Sequence, residues 1–178
     1  MKIRTLILLG GFILGIPGHA IAAEGQGIRL EHPYVQLGVG GAIQADDNYM
    51  VLKLAGGVDL TRQLGVEAGY TSLSNIFFAE VDILYLSLVA KYAIGEKATL
   101  AGKLGVARWD SDSTYDPLAT QAGQWHGVNG MVGVDWSYAI FKHVGIILSL
   151  EYYGSMNVGK SSGDETIFPG TIGIRYTF

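Results

Sequence analysis

Eight stretches of the sequence alternate large apolar residues with small or polar ones, and this two-residue period restricts the fold more than any other feature. In residues 34–44, Val35, Leu37 and Val39 share one face of an extended chain, while Gln36 lies on the other. Seven later stretches repeat the pattern, at residues 52–60, 64–71, 83–92, 99–106, 128–137, 144–152 and 171–178. The chain is therefore expected to be all-β.

The composition of the second face decides which way the apolar face points. In a soluble sandwich or a lipocalin-like barrel the polar face meets water and normally carries many charges. Here that face is mostly Gly, Ala, Ser and Thr, and charged residues are only 16% of the chain, below the quarter or so of a soluble domain. Small residues suit the inside of a narrow barrel. The sequence therefore predicts an eight-stranded antiparallel transmembrane up-and-down β-barrel with its apolar face outward.

The N-terminal segment has the features of a secretory signal peptide. Lys2 and Arg4 precede an apolar run, and Ala20 to Ala22 fits a small-x-small cleavage pattern. The run is shorter than the ~20 residues that a membrane-spanning helix needs, and no later run of that kind occurs. We expect residues 1–22 to be the signal peptide and residues 23–178 to form one barrel domain, with a net charge of about -6 in place of -4.

Short and long connections alternate between the eight stretches. Residues 61–62, 95–97 and 141–142 form short turns, whereas longer polar segments lie at 72–79, 110–124 and 154–169, with a shorter first loop at 45–48. Outer-membrane barrels have short periplasmic turns and longer outer loops. We therefore expect both termini in the periplasm, and by default a monomer in the outer membrane of a Gram-negative cell.

Aromatic residues fall near both ends of the expected strands, where they would anchor the barrel in lipid and lipopolysaccharide. The expected inner girdle comprises Tyr92, Trp136, Tyr138, Tyr176 and Phe178, and the expected outer girdle comprises Tyr70, Phe77, Phe78, Trp109 and Tyr153.

The strand registers turn four bases and four acids toward the lumen: Lys53, Lys91, Lys103, Arg175, Asp59, Glu67, Asp135 and Glu151. Because an unpaired charge in a narrow lumen is costly, we expect a paired network that fills the barrel. The alternative is a gate, in which the carboxylates change basic partners and open a narrow path for ions or small solutes.

Three segments resemble the transmembrane domain of the OmpA family and its small eight-stranded relatives. They are residues 88–92, 150–152 and, most specifically, the run Lys-Leu-Gly-Val-Ala-Arg-Trp-Asp at 103–110. The resemblance extends over residues 23–178. We expect no peptidoglycan-binding domain of the kind that full-length members append after the barrel, so a cell-wall tethering role is not carried over.

The resemblance implies roles for particular residues. Glu67, Lys91 and Asp135 align with an interior charge cluster of the family, but Ser149 stands where that cluster supplies an arginine. The family's closed salt bridge therefore requires another inward base to substitute, namely Lys53, Lys103 or Arg175. At the C-terminus, Ile174, Tyr176 and Phe178 resemble the signal that the barrel-assembly machinery recognises.

An enzymatic function is not expected. Lipid A-modifying barrels place catalytic groups at the outer interface, and of His32, His126 and His143 only His126 is expected on that side. The lipid A deacylase barrels carry a His-x-Ser motif, whereas Gly127 and Val128 follow His126.

Nor does the sequence indicate a cofactor or a metal. The loop acids Asp46, Asp47, Asp110, Asp112 and Asp116 match no defined cation loop, and the acidic chain shows no basic patch for nucleic acid. We expect a barrel with a structural or surface-interaction role. The first alternative is the gated pore. A lipid A-modifying enzyme and a loop-mediated adhesin rank below it.

Overall fold

The computed structural model describes residues 31–43, 48–74, 80–112, 124–156 and 165–178. The expected signal peptide, residues 1–22, lies outside the described residues and stays a prediction.

The described residues form ten strands, and eight of them are long. The long strands are β1 (Glu31–Ile43), β2 (Asn48–Asp59), β3 (Leu64–Ser74), β4 (Glu80–Ile94), β5 (Ala98–Asp112), β6 (Gln124–Ala139), β7 (Val144–Tyr152) and β10 (Phe168–Thr177). They close into an antiparallel barrel in the order β1-β10-β7-β6-β5-β4-β3-β2. The all-β, eight-stranded fold is thus confirmed. The short strands β8 (Ser155–Met156) and β9 (Glu165–Thr166) pair with each other.

The first and last long strands join the sheet into a ring. β1 pairs with β10 from Tyr34 opposite Thr177 to Ile43 opposite Phe168. Closure pairs the strand edges with each other, and this is how a sheet crosses hydrocarbon without exposing unbonded N–H and C=O groups.

The outward face of the barrel is apolar. Leu88, Leu104, Val128 and Ile174 are exposed over 63%, 65%, 70% and 60% of their surface. An apolar band that encircles the molecule requires a lipid surround, because soluble monomers rarely expose continuous apolar patches of more than a few hundred Å². No helix long and apolar enough to cross a membrane occurs in the part of the chain that the structure describes.

The strands run further into the long connections than the sequence suggested. β3 continues to Ser74, β5 continues to Asp112 and β6 begins at Gln124. The connection after β7 contains β8 and β9, and β10 begins at Phe168. Polar residues end the apolar alternation and therefore predict loops, but backbone pairing continues beyond the apolar band. We name the end of the barrel at residues 60–63, 95–97 and 140–143 the turn end, and the opposite end the loop end.

Two residues assigned to the outer girdle lie inside the barrel instead. Trp109 is only 6% exposed and Tyr153 is fully buried. Both occupy odd positions that continue the inward alternation of β5 and β7, so the period of two decides their orientation over their aromatic character. Tyr70 does face outward, whereas Phe77 and Phe78 lie outside the described residues.

Apolar side chains fill the lumen at the loop end. Leu73, Val81, Ile83 and Met131 are fully buried there together with Tyr153, and Met156 and Ile167 beside the short strands belong to the same cluster. We call this cluster the apolar plug. It separates the middle of the lumen from the loop end.

Candidate functional site

A layer of charged side chains lies in the middle of the lumen, and six strands each supply one of its members. This central charge cluster consists of Lys53 on β2, Glu67 on β3, Lys103 on β5, Asp135 on β6, Glu151 on β7 and Arg175 on β10. Three bases face three acids, so the layer is formally neutral.

Lys103 is the cation that joins the three acids. Its Nζ lies 2.7 Å from Glu67 Oε1, 2.7 Å from Asp135 Oδ2 and 3.2 Å from Glu151 Oε1. The side chain has no exposed surface. Charge-assisted hydrogen bonds in a buried site are stronger than neutral ones, so Lys103 ties β3, β6 and β7 together across the lumen.

A glycine makes this approach possible. Gly133 on β6 lies opposite Lys103 on one side and opposite Glu151 on the other. A Cβ at Gly133 would meet Glu151 Cγ at 3.1 Å and Lys103 Cβ at 3.7 Å. With no side chain at this position, the two residues on either side of β6 reach each other.

Glu151 also accepts bonds from the opposite wall and from the apolar plug. Lys53 Nζ lies 2.5 Å from its Oε1, and the Tyr153 hydroxyl donates to its Oε2 at 2.6 Å. The same hydroxyl lies 3.1 Å from Thr71 Oγ1. Tyr153 therefore belongs both to the plug and to the hydrogen-bond network beneath it.

Two tyrosines satisfy Glu67. Tyr34 donates to Oε2 at 2.8 Å, and Tyr85 donates to Oε1 at 2.8 Å. Each ring lies over a glycine of a neighbouring strand, because a Cβ at Gly57 or Gly69 would come within 2.4 Å of the ring of Tyr34 or Tyr85. Because glycine has no side chain, both rings can lie flat against the barrel wall and reach a fully buried carboxylate.

Arg175 binds the cluster from the side of the turn end. Its Nη2 lies 3.3 Å from Asp135 Oδ2 and 2.8 Å from Gln36 Oε1. Its guanidinium carbon lies 4.3 Å from the centre of the Tyr34 ring. Asp135 Oδ1 is buried and has no hydrogen-bond partner among the described residues.

The remaining two inward charges form a separate pair closer to the turn end. Lys91 Nζ contacts Asp59 Oδ1, and both side chains are slightly exposed, at 13% and 14%. The Lys91 ammonium lies 5.0 Å from the centre of the Tyr34 ring. The family resemblance groups Lys91 with Glu67 and Asp135, but in the structure Lys91 pairs with Asp59 instead. Ser149 stands where the family has an arginine, and Lys103 supplies the positive charge that the serine lacks.

The sequence identified the charged members of the site but missed its neutral donors. Alternation already turned Tyr34, Gln36, Thr71 and Tyr85 inward, yet nothing in a strand pattern shows that their polar atoms meet a carboxylate. The aromatic character of Tyr153 predicts a place in the outer girdle. A tyrosine on the inward face of a strand, next to a buried acid, is the signal that would have found these residues.

Within the described ranges, no group of three His, Cys, Asp or Glu residues is arranged to hold a metal ion. His126 lies on β6 opposite Asp110 of β5, and its side chain is exposed on the outward face. What the arrangement can do is hold charges in balance and lock the strands of a closed barrel together.

A closed eight-stranded barrel with an apolar outer face and a filled, polar interior defines a transmembrane outer-membrane barrel of the small type. Over residues 25–178 the sequence matches the OmpA-like transmembrane domain. The chain belongs to that family. This places it in the outer membrane, within a lipid bilayer.

Solved structures share the fold at low sequence identity. The N-terminal β-barrel domain of Pseudomonas aeruginosa OprF has a TM-score of 0.60 at 13% identity, covering 82% of this chain and 97% of that one. Neisserial surface protein A has a TM-score of 0.58 at 13% identity, covering 83% and 96%. Ail, the attachment invasion locus protein of Yersinia pestis, has a TM-score of 0.57 at 13% identity, covering 84% and 99%. Identities this low show the fold alone, and no curated protein matches the sequence.

Proposed function

We propose that this chain is a closed outer-membrane barrel with a structural or surface-interaction role, and that it works as a monomer without catalytic activity. The observation that carries this function is the filled lumen. The apolar plug blocks the loop end, and the central charge cluster fills the middle with paired groups. Such a barrel offers no wide path for solutes, so its contacts with lipopolysaccharide and other surface molecules come from its outward face and loops.

The orientation within the membrane follows from the lengths of the connections. The turn end faces the periplasm together with both termini after export, and the loop end faces outside the cell. The chain contains no cysteine, so single-cysteine variants give unambiguous labelling.

We expect a membrane-impermeant maleimide to label Thr114→Cys on intact cells, because residue 114 lies in a connection at the loop end. Lys142→Cys, in a turn, should be labelled only after the outer membrane is permeabilised. The unmodified chain is the control for background. Labelling of Lys142→Cys on intact cells would place the turns and the termini outside and contradict the proposed orientation.

A gated pore is the second candidate, and one observation favours it. Lys103 lies within 3.2 Å of carboxylates from three strands, and Glu151 is shared between Lys103 and Lys53. Shared partners of this kind allow an exchange of ion pairs. The apolar plug opposes conduction because its displacement from the loop end would also be needed.

A loop-mediated adhesin is a related candidate, supported by the name of Ail as an attachment invasion locus protein and by the structure of Ail with the heparin analogue sucrose octasulfate. Deletions within residues 114–120 and 157–164, followed by a cell-binding assay, test it. Loss of binding with an intact barrel would support adhesion, whereas unchanged binding would exclude these loops.

The C-terminal residues would also serve assembly. Phe178 is 63% exposed, its ring packs against Tyr176 at 5.1 Å, and its N–H donates to the Pro33 carbonyl at 2.9 Å. We propose that the barrel-assembly machinery recognises the exposed side chains of Ile174, Tyr176 and Phe178 before closure.

We expect Phe178→Ala to reduce the amount of heat-modifiable barrel in the outer membrane several-fold while its refolding in detergent stays efficient. The backbone bond to Pro33 survives the substitution, so the folded state loses only a surface contact. Phe141→Ala, an exposed aromatic in a turn, is the matched control and should assemble normally. Equal assembly of Phe178→Ala and the unmodified chain would contradict a role in recognition.

A further inference from the structure

A water-accessible vestibule opens at the turn end, on the far side of the central charge cluster from the apolar plug. Its volume is about 280 Å³. The Tyr34 ring lies at its inner end, where it contacts both Arg175 and Lys91. The three turns that join β2 to β3, β4 to β5 and β6 to β7 supply its rim.

The walls of this vestibule are strongly basic although the chain as a whole carries a formal charge of -4. Five basic side chains line it, namely Arg62, Lys91, Lys97, Lys142 and Arg175, and Asp59 is the single acid among the lining residues. The positive charge of the described structure is therefore concentrated at one mouth.

The five bases divide into two groups by their partners. Lys91 is neutralised by Asp59, and Arg175 is bound to Asp135 and Gln36. Arg62, Lys97 and Lys142 make no ion pair with any described residue, and each lies in a different exposed turn. Three uncompensated cations thus surround one opening.

The backbone keeps these turns close to the lumen wall. The Lys97 carbonyl accepts a bond from the Ala139 N–H at 2.8 Å, and the His143 carbonyl accepts one from the Thr177 N–H at 2.9 Å. The Gln63 carbonyl accepts one from the Lys91 N–H at 2.7 Å. Each basic turn is thereby fixed to the strand beside it, which limits the backbone entropy that the turn loses when it binds a ligand.

We propose that the vestibule binds a small phosphate-bearing anion through Arg62, Lys97 and Lys142. Arginine forms paired hydrogen bonds to phosphate and lysine supplies point charges. Because a molecule of liquid water occupies about 30 Å³, the cavity has room for a diphosphate group with part of its hydration. The interior walls contributed by Thr99, Ser137 and Thr177 add polar contacts.

The ligand chemistry has two possible sources, a free phosphate-bearing solute or the headgroup of an anionic phospholipid in the surrounding leaflet. A free solute would enter the vestibule from water. A headgroup would reach the rim from the side. The assignment of the vestibule to the periplasmic side rests on the proposed function. Binding to the purified barrel does not depend on that assignment.

The test is calorimetric titration of sodium pyrophosphate into the full barrel, folded in octyl glucoside and in phosphate-free buffer at low salt. We expect saturable binding with one site per barrel that weakens as ionic strength rises. The triple variant Arg62→Gln, Lys97→Gln, Lys142→Gln should lose at least about tenfold in affinity, because three charges near the anion are removed. Arg108→Gln removes an exposed base on the outward face and is the matched control, with affinity unchanged.

Absence of saturable binding to the folded unmodified barrel would overturn the proposal, and so would an equal loss in the Arg108 and triple variants. The heat-dependent gel shift shows whether each variant is folded. If the triple variant does not fold, the single variant Lys142→Gln must weaken binding relative to Arg108→Gln for the proposal to stand.

A second titration separates the two sources. In nanodiscs of phosphatidylcholine, pyrophosphate should bind as in detergent. If phosphatidylglycerol headgroups occupy the same site, adding that lipid to the nanodiscs lowers the apparent affinity for pyrophosphate by more than an equal negative surface charge supplied by a fatty acid, which carries no phosphate. If the two anionic lipids lower the affinity equally, the free solute is the ligand. A barrel that binds pyrophosphate and yet conducts ions would refute the closed lumen while leaving this site intact.

Discussion

We expect Lys103→Met to lower the free energy of unfolding by about 3–5 kcal/mol, because removal of one partner leaves buried charges uncompensated. The Lys103 side chain has no exposed surface, and its Nζ lies within 3.2 Å of three carboxylates. Methionine matches the length of the lysine stem, so the loss reports the charge rather than a cavity. Lys53 and Arg175 remain, but they cannot neutralise all three acids.

The measurement is equilibrium urea unfolding of the barrel in lipid vesicles, followed by tryptophan fluorescence and the gel shift. Arg108→Gln is the control, because the Arg108–Asp110 pair is 64% and 53% exposed and such surface pairs contribute little. Adding Glu67→Gln to Lys103→Met should recover part of the loss, since it removes one uncompensated charge. A Lys103→Met barrel as stable as the control would mean that the cluster does not hold the strands together.

The second large effect is expected at the boundary between the plug and the charges. We expect Tyr153→Ala to cost about 3–5 kcal/mol, the range found when a large aromatic side chain is removed from a core. Tyr153 is fully buried, packs 6.0 Å from Tyr85 between ring centres and donates to Glu151. Its removal leaves a cavity and takes a hydrogen bond from a buried carboxylate.

Tyr153→Phe separates the two contributions. It keeps the ring and loses the hydroxyl, so we expect a cost of about 1–3 kcal/mol for the weakened satisfaction of Glu151. The same urea titration measures both variants. If Tyr153→Ala costs no more than Tyr153→Phe, the ring does not pack as part of the plug.

The period of two was sufficient to predict the eight strands and the inward position of every charged residue of the site, and the small residues of the second face predicted a closed barrel. It was sufficient because a strand has only two faces, and small residues marked the crowded one. The same period also predicts an inward position for Trp109 and Tyr153. Their expected place in the outer girdle was wrong because it rested on aromatic character alone. Strand ends were less predictable, because backbone pairing continues past the apolar residues that mark the bilayer.

The pairing within the lumen could not be read from the sequence. Lys103 meets acids on β3, β6 and β7. Which inward base reaches which acid depends on the position of each residue along the barrel axis, and the registers of all the strands together set that position. Lys91 shows the difficulty. It shares the inward face with Lys103, but its position along the barrel axis places it with Asp59 near the turn end.

The vestibule depended on the same three-dimensional information. Arg62, Lys97 and Lys142 are far apart in sequence and each looks like an ordinary solvated turn residue. Only closure of the barrel brings their three turns around one opening, so their common charge becomes visible once the strand order is known.

The central claim is that the apolar plug and the charge cluster close the lumen, and single-channel conductance in a planar bilayer tests it most directly. The protein is refolded, and the gel shift confirms folding before the measurement. We predict no steady conductance from the unmodified barrel. Steady conductance that changes with Glu67→Gln or Lys103→Met would contradict the account and make the chain a small gated pore.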